Sequence, residues 1–370
     1  MTFIVVIVSL VLCLIIGEKY SEKAFNSLII KRVVNKNKIF PGENIEITMT
    51  LENNKIIPIP FLLIEEQMPK GIYKVDDIDT IKRGEFNYYS SYLNILGKER
   101  IKRKYKISCD YRGVYYIQNI NISFGDIFGL TTQQKEKENF LEIVVYPKLN
   151  SIKKFNMASN SLMGENLIKR WIFEDQLYIK GIREYNLNDR LKDIHWNSSL
   201  RMNKLMVKNY DFTSNKSVVF IINTQTQKDY LIGNKKENID KEIEFVASIS
   251  EMLVKEGIPV GVWTNSDIIS YYNSVKSECQ LTTNLNFILE FCGRIANNPN
   301  VTIDRYINKM KKTMSRETVY IFVTSYIDSV TASTMINLNK KGIVIKLIDL
   351  SQNGELTLQG IEKIHLKWEV

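Results

Sequence analysis

The sequence predicts a multidomain chain of three parts: an N-terminal transmembrane helix, an all-β sandwich and a doubly wound α/β domain. Three observations carry this reading. Thr2 to Ile16 is uncharged and almost wholly apolar. Between Ile45 and Tyr146, short segments alternate apolar and polar residues and are separated by turn residues, the period of half-buried strands. From Val218 onward, unbroken apolar runs alternate with segments of helical period, as strands covered by helices on both faces do. A chain of 370 residues is long enough for two domains with separate cores. The expected boundaries are 1–20 for the anchor, 21–149 for the sandwich, 150–214 for a connecting region and 215–370 for the α/β domain.

The anchor is justified by length and flanks. At about 1.5 Å per residue, Met1 to Tyr20 reaches the roughly 30 Å of a bilayer core, with Lys19 and Tyr20 at its edge. The segment lacks the basic start and the small-residue cleavage site of a signal peptide, which favours an uncleaved anchor. Lys19, Lys23, Lys31, Arg32, Lys36 and Lys38 follow the apolar run and no Lys or Arg precedes it. This asymmetry predicts a single-pass cell-membrane protein with the bulk of the chain in the cytoplasm. Cysteine usage agrees, because Cys109, Cys279 and Cys292 form no C-x-x-C pair and leave an odd number outside the anchor.

The sandwich is read from strands at Ile45 to Leu51, Phe61 to Glu66, Phe86 to Leu93, Ile101 to Ser108, Val114 to Ile117, Ile120 to Phe124 and Leu141 to Tyr146. Pro41-Gly42-Glu43-Asn44 and Arg83-Gly84-Glu85 are turn signals, and no long amphipathic helix intervenes, so an immunoglobulin-like sandwich is expected. The α/β domain is read from strands at Val218 to Ile222, Pro259 to Trp263, Val319 to Thr324 and Ile343 to Ile348. Helices are expected at Ile239 to Lys255, Asn284 to Ala296 and Ser329 to Lys341, with Gly257 and Gly342 where helix ends favour glycine.

Composition excludes several function classes. With 44% hydrophobic and 25% charged residues the chain is ordinary globular material. Lys and Arg exceed Asp and Glu by nine, a balance that favours anionic surfaces. The excess is spread out, without a basic block interleaved with aromatics or a zinc-finger spacing, so nucleic acid is not an expected partner. His195 and His365 are the only histidines, and neither lies in a nucleophile or metal-ligand motif. There is no Walker motif, no G-x-G-x-x-G and no G-x-S-x-G. Asp189 and Asp193 share their segment with basic residues, which points to salt bridging before paired acid catalysis. No catalytic residue and no cofactor is assigned.

The most particular stretch runs from Gly181 to Lys208. Asn186, Asn188 and Asp189 suit a turn, with Asp189 placed to cap a helix starting at Arg190. Leu191, Ile194 and Ser198 then share one helical face, which displaces Trp196 toward a neighbouring surface. The alternation at Leu205 and Val207 predicts an edge or surface strand. One reading makes Arg183, Asp189 and Arg201 an internal ion-pair network. The other makes Arg183, Asp189, Trp196 and Arg201 a partner-binding surface, Trp and Arg being the residue types that most often dominate such surfaces.

Arg183, Glu184, Tyr185, Asp189, Ile194, Trp196, Arg201, Leu205, Val207 and Lys208 together resemble the signature of the domain of unknown function 58 family. Asn188 stands where that family usually has Gly, Asn197 where it has Lys and Leu200 where it often has Ala. Tyr111 to Tyr115 and Gly125 to Leu130 are similar to two further elements of the family, with Ile127 in place of Pro. The resemblance implies a membrane-anchored protein with a C-terminal domain similar to von Willebrand factor A domains. In those domains a D-x-S-x-S loop after the first strand holds Mg²⁺ with an acid on a later loop. Here the loop reads Asn223-Thr224-Gln225-Thr226-Gln227, and Thr324-Ser325 stands at the later position. Neutral amides remove much of the attraction for a hard divalent ion, so the metal site is degenerate and Asn223, Thr226 and Thr324 are expected to line a polar crest.

The resemblance also implies a partner, a MoxR-type AAA+ ATPase, alongside the membrane and other membrane or envelope proteins. The expected function is a membrane-anchored, non-enzymatic scaffold or adaptor. The alternatives are an extracytoplasmic adhesion or envelope-binding module, which needs the opposite topology, and a hydrolase with an unrecognised site.

Overall fold

A computed structural model describes residues 4, 28–75, 81–125, 132–150, 174–186, 189, 191–212, 217–227, 236–271, 275–351, 354 and 356–365. The chain divides into two compact units, Met1–Pro147 and Lys148–Val370.

The first unit is built from strands β1 (Leu28–Val34), β2 (Lys38–Ile39), β3 (Asn44–Asn53), β4 (Ile59–Pro69), β5 (Ile72–Lys74), β6 (Ile81–Arg83), β7 (Phe86–Ile95), β8 (Arg100–Cys109), β9 (Gly113–Ile117), β10 (Ile120–Gly125), β11 (Thr132–Lys137) and β12 (Leu141–Val145). Alternation decides which face is covered. Ile45, Ile47, Met49 and Leu51 of β3 are buried while Glu46, Thr48 and Thr50 between them are half-exposed, as the two-residue period of a strand requires. One antiparallel sheet runs β1-β3-β8-β5, a second runs β11-β10-β4-β7-β6, and β2, β12 and β9 form a third, short sheet.

Two apolar clusters join the larger sheets. One gathers Leu51 and Met49 of β3 with Leu62 and Ile64 of β4, and the other gathers Ile45 and Ile47 with Met68 and Tyr89. Tyr105 of β8 packs against both. Its hydroxyl donates to Glu66 Oε1 at 2.5 Å, and Glu66 also receives Lys74 Nζ at 2.9 Å and Arg32 Nη1 at 3.5 Å. A charged layer therefore crosses the interior, with the Arg32 and Glu66 side chains 0% and 3% exposed. Arg32 is further held by the Gln118 and Asn139 carbonyls and Asn139 Oδ1. Burial first, then the Glu66 charge, raises the Tyr105 pKa well above its ordinary value, so the phenol remains a donor.

The expectation of an N-terminal transmembrane helix is corrected. Among the described residues no helix is long and apolar enough to cross a membrane, and the first unit is made of strands from Leu28 onward. The expectation rested on Met1 to Tyr20, which apart from Ile4 lies outside the described residues. Its physical weakness is length: the uncharged run from Thr2 to Ile16 extends only about 22 Å as a helix, short of a bilayer core of roughly 30 Å. The family-like segment Asp126 to Leu130 also lies outside the described residues.

The second unit opens with an antiparallel pair, β13 (Glu174–Glu184) and β14 (Met206–Phe212), that brackets the short helix α1 (Trp196–Met202). There follow β15 (Ser217–Ile222), helix α2 (Lys236–Lys255), β16 (Val260–Thr264), β17 (Ser266–Ile268), β18 (Glu278–Thr282), helix α3 (Leu285–Arg294), β19 (Ile295–Pro299), helix α4 (Ile303–Met310), β20 (Thr318–Thr324), helix α5 (Ser329–Lys340), β21 (Ile345–Asp349) and β22 (Glu362–His365). The main sheet has the order β18-β16-β15-β20-β21-β22, parallel except for β18.

The strands are apolar on both faces because both are covered. Val218, Phe220 and Ile222 of β15 pack with Ile243 of α2 and Ile288 of α3, while Val219 and Ile221 pack with Ile307 of α4 and Met335 of α5. Helices thus flank the sheet on each side, the doubly wound arrangement. Gly257 and Gly342 follow α2 and α5 at φ 76° and 85°, left-handed angles that glycine adopts without a Cβ clash. In this order the chain adds strands to one side of β15 up to β18 and then to the other side from β20, so the loops after the parallel strands β15 and β20 meet at the crest of the sheet.

Candidate docking site

The segment between β13 and β14 is closed at its neck by paired backbone. Arg183 lies opposite Val207, Tyr185 N–H donates to the Leu205 carbonyl at 2.9 Å, and His195 N–H donates to the Met206 carbonyl at 2.8 Å. Ile194 bridges to Val207, and both are buried with Met206. Arg183 and Asp189 come together as a two-pronged pair, Nη1 to Oδ2 at 2.6 Å and Nη2 to Oδ1 at 2.5 Å. Asp189 Oδ2 also accepts the Asn186 N–H at 2.8 Å, and the Asp189 N–H donates to the Asn186 carbonyl. Asp189 is thus committed to the turn and to Arg183, a charge-assisted fork.

Asp189 does not cap the helix. A single 3-10 turn, Leu191–Asp193, comes first, and α1 starts at Trp196 with His195 as its N-cap. His195 Nδ1 accepts the Ser198 N–H at 3.1 Å, which places the ring proton of the neutral imidazole on Nε2. Ser199 Oγ, not Ser198, faces inward: it donates to the His195 carbonyl at 3.1 Å and accepts the Met206 N–H at 2.9 Å. Asn203, at φ 54°, ends the helix in the left-handed region.

This framework holds one helical face out to solvent. Trp196 is 63% and Leu200 80% exposed, one turn apart, with Leu191 and Met202 also exposed. Arg201 is exposed and makes no hydrogen bond or ion pair among the described residues, so it stands outside the Arg183–Asp189 pair. Sequence reasoning missed Leu200 and Ser199. The i, i+4 spacing of Trp196 and Leu200 was the signal for the first.

The crest of the main sheet is a second, closed arrangement. Asn223 Nδ2 donates to Thr324 Oγ1 at 3.1 Å and to the Tyr326 carbonyl at 2.9 Å, while Asn223 Oδ1 accepts from the Gln225 N–H and from Asn265 Nδ2. Asn265 Oδ1 in turn accepts both the N–H and hydroxyl of Thr224. Asn223, Thr224, Asn265 and Thr324 are all buried, so these positions are not an exposed crest, and Thr226 is half-buried. The donors at Asn223 point toward Thr324 and Tyr326, where a cation would need acceptors. Among the described residues no three His, Cys, Asp or Glu side chains group closely enough to hold a metal.

Glu242 of α2 lies beside Ser325 in the same region. Its carboxylate is fully buried and neither oxygen completes a hydrogen bond of good geometry. Burial, opposed only in part by the Ser325 hydroxyl and amide, pushes its pKa well above the ordinary 4.5. The folded chain therefore keeps a proton that the unfolded chain releases. Stability is unpenalised below the unfolded pKa and falls as pH rises toward the folded one. Glu242→Met is expected to stabilise the second unit by about 1–3 kcal/mol at about pH 8 and by less at about pH 5, measured as urea midpoints at both. A gain that is equal at the two pH values rules out the buried acid as its source. The cysteines are equally withdrawn: burial pushes the Cys109 thiol up to about 12 and Cys279 to about 11.

Comparison with known proteins places this site in a family. The chain is 22% identical over 239 residues to "Uncharacterized protein YeaD" of Bacillus subtilis (strain 168), covering 62% of this chain and 54% of that one. It thus spans about half the length of that relative. Among solved structures, the CARDB domain of the PF1109 protein from Pyrococcus furiosus aligns with TM-score 0.23 and 14% identity over 32% of this chain and 91% of that one. A cohesin module from a Clostridium perfringens ATCC13124 family 33 glycoside hydrolase aligns with TM-score 0.24 and 9% identity over 32% and 96%. The family model described as "Protein of unknown function DUF58" matches residues 181–366, from the last residues of β13 through β22, which is half of the chain. The chain belongs to that family.

Proposed function

We propose that this protein is a non-enzymatic adaptor and that the Trp196–Leu200 face of α1 docks a MoxR-type AAA+ ATPase. The observation that carries the reading is an exposed Trp and Leu one turn apart on a helix whose other side is pinned by Ser199 and His195. A large apolar surface on rigid backing loses little conformational freedom on binding, the property of an interface anchor. Arg201 adds a solvent-facing guanidinium at the end of the same helix, suited to a charge-assisted bond with an acidic partner group. The family resemblance supplies the identity of the ATPase. The strand order of the second unit supports its likeness to von Willebrand factor A domains, and the closed amide network at its crest supports an interaction role in place of metal chemistry.

Arg201→Ala separates docking from support. Because the side chain is exposed, its loss is expected to change stability by no more than about 0.5 kcal/mol. Capture of the purified ATPase by the immobilised variant is expected to fall about tenfold relative to the parent. A stable variant that captures normally removes Arg201 from the interface, and a large drop in melting temperature assigns it to the fold.

A further inference from the structure

A cleft of about 260 Å³ opens on the charged layer of the sandwich, lined by Met49, Ile64, Glu66, Lys74, Ser91 and the Arg103–Lys106 stretch of β8. Its side chains are cationic in balance: Lys74 and Arg103 face Glu66, whereas Lys104 and Lys106 contribute backbone to the lining and project to the other side of β8, where Lys104 pairs with Glu46 at 2.8 Å. Glu66 is already met from one side by Lys74 and from behind by Arg32. The Lys74 ammonium is held in place, 2.9 Å from Glu66 and 4.8 and 4.4 Å from the centres of the Tyr89 and Tyr105 rings. Cations set in walls of low dielectric focus a positive potential that bulk solvent screens poorly.

Arg103 makes the cleft specific. It lies on the same side of β8 as the inward-facing Tyr105 and Ile107, at a position where an apolar residue would continue the core. Its side chain is exposed at the cleft and makes no hydrogen bond or ion pair among the described residues. A guanidinium so placed presents a planar fork of donors matched to the paired oxygens of a phosphate or carboxylate. Ser91 Oγ, Met49 and Ile64 add a hydroxyl and an apolar wall. We propose that the sandwich cleft is a binding site for a small oxyanion, a phosphate or carboxylate group, received by the Arg103 fork in the field of Lys74.

The test uses the full chain with ¹³C-methyl labels on Met and Ile, the Met49 and Ile64 signals being assigned by Met49→Leu and Ile64→Val. Inorganic phosphate is titrated in one arm and succinate in another, with sodium chloride at matched ionic strength as reference. Saturable shifts of both methyl groups are expected in at least one arm and not with chloride, and the arm that saturates identifies the oxyanion. Arg103→Gln is expected to weaken the saturating anion by about tenfold or more, while Lys102→Gln, on the opposite side of β8, changes it by less than about twofold. Circular dichroism confirms that both variants are folded. Linear shifts indistinguishable from chloride, or an unchanged affinity in folded Arg103→Gln, overturn the proposal.

Discussion

Glu66→Ala is expected to destabilise the sandwich by about 3–5 kcal/mol, because it strands two buried cations at once. Arg32 and Lys74 have side chains 0% and 7% exposed and both reach Glu66, and the Tyr105 hydroxyl loses its acceptor as well. All four tryptophans lie in the second unit, so the effect is read from far-UV circular dichroism in urea, with Trp fluorescence reporting the other unit separately. Replacing Arg32, Glu66 and Lys74 together with Met, Leu and Met is expected to restore most of the loss, since removing a whole buried network avoids leaving any charge unpaired. A Glu66→Ala midpoint within error of the parent contradicts the charged layer as described.

Asn223→Asp is expected to cost the second unit about 3–5 kcal/mol, although it supplies an acid of the kind a divalent cation favours. The new carboxylate gives up the donors that Asn223 Nδ2 extends to Thr324 Oγ1 and the Tyr326 carbonyl, and sets a buried negative charge against that carbonyl oxygen. Only an ion that binds the native state raises its stability. Mg²⁺ is therefore expected to leave the melting temperature of the parent unchanged. A saturable rise with Mg²⁺ in the parent, lost in Asn223→Ala, contradicts the account of the crest.

Strand and helix periods were readable where one face meets solvent or where a run is apolar throughout. The alternation in Ile45 to Leu51 and the unbroken Val218 to Ile222 correspond to β3 and β15. The charged layer was not readable. Arg32, Glu66 and Lys74 look like solvated residues in sequence, and only the packing of β4 in one sheet against the β1-β3-β8-β5 sheet brings them together. Helix α4 and strands β18 and β22 were also missed. Ile303, Tyr306 and Ile307 carry a clear apolar face, but eight residues offer too short a window for a periodic signal. In the docking segment the polar turn around Asp189 and its ion pair with Arg183 were legible, whereas the exclusion of Arg201 from that pair was not. The assignment of Asp189 to a helix cap failed because its carboxylate is taken up by Arg183 and the Asn186 N–H, and α1 begins only at Trp196 with His195 as its N-cap. The apolar N-terminal run shows the opposite failure, a composition signal taken as a spanning helix with too few uncharged residues to cross.

The account turns on the Trp196–Leu200 face. The most direct measurement is the affinity of the purified MoxR-type AAA+ ATPase for the parent chain and for Trp196→Ala/Leu200→Ser, by isothermal titration calorimetry, with thermal unfolding of both chains alongside. Both side chains are exposed, so the double variant is expected to unfold at the temperature of the parent. The account predicts saturable binding by the parent and a loss of about a hundredfold or more in the variant. Equal affinities, or no binding by the parent, contradict it.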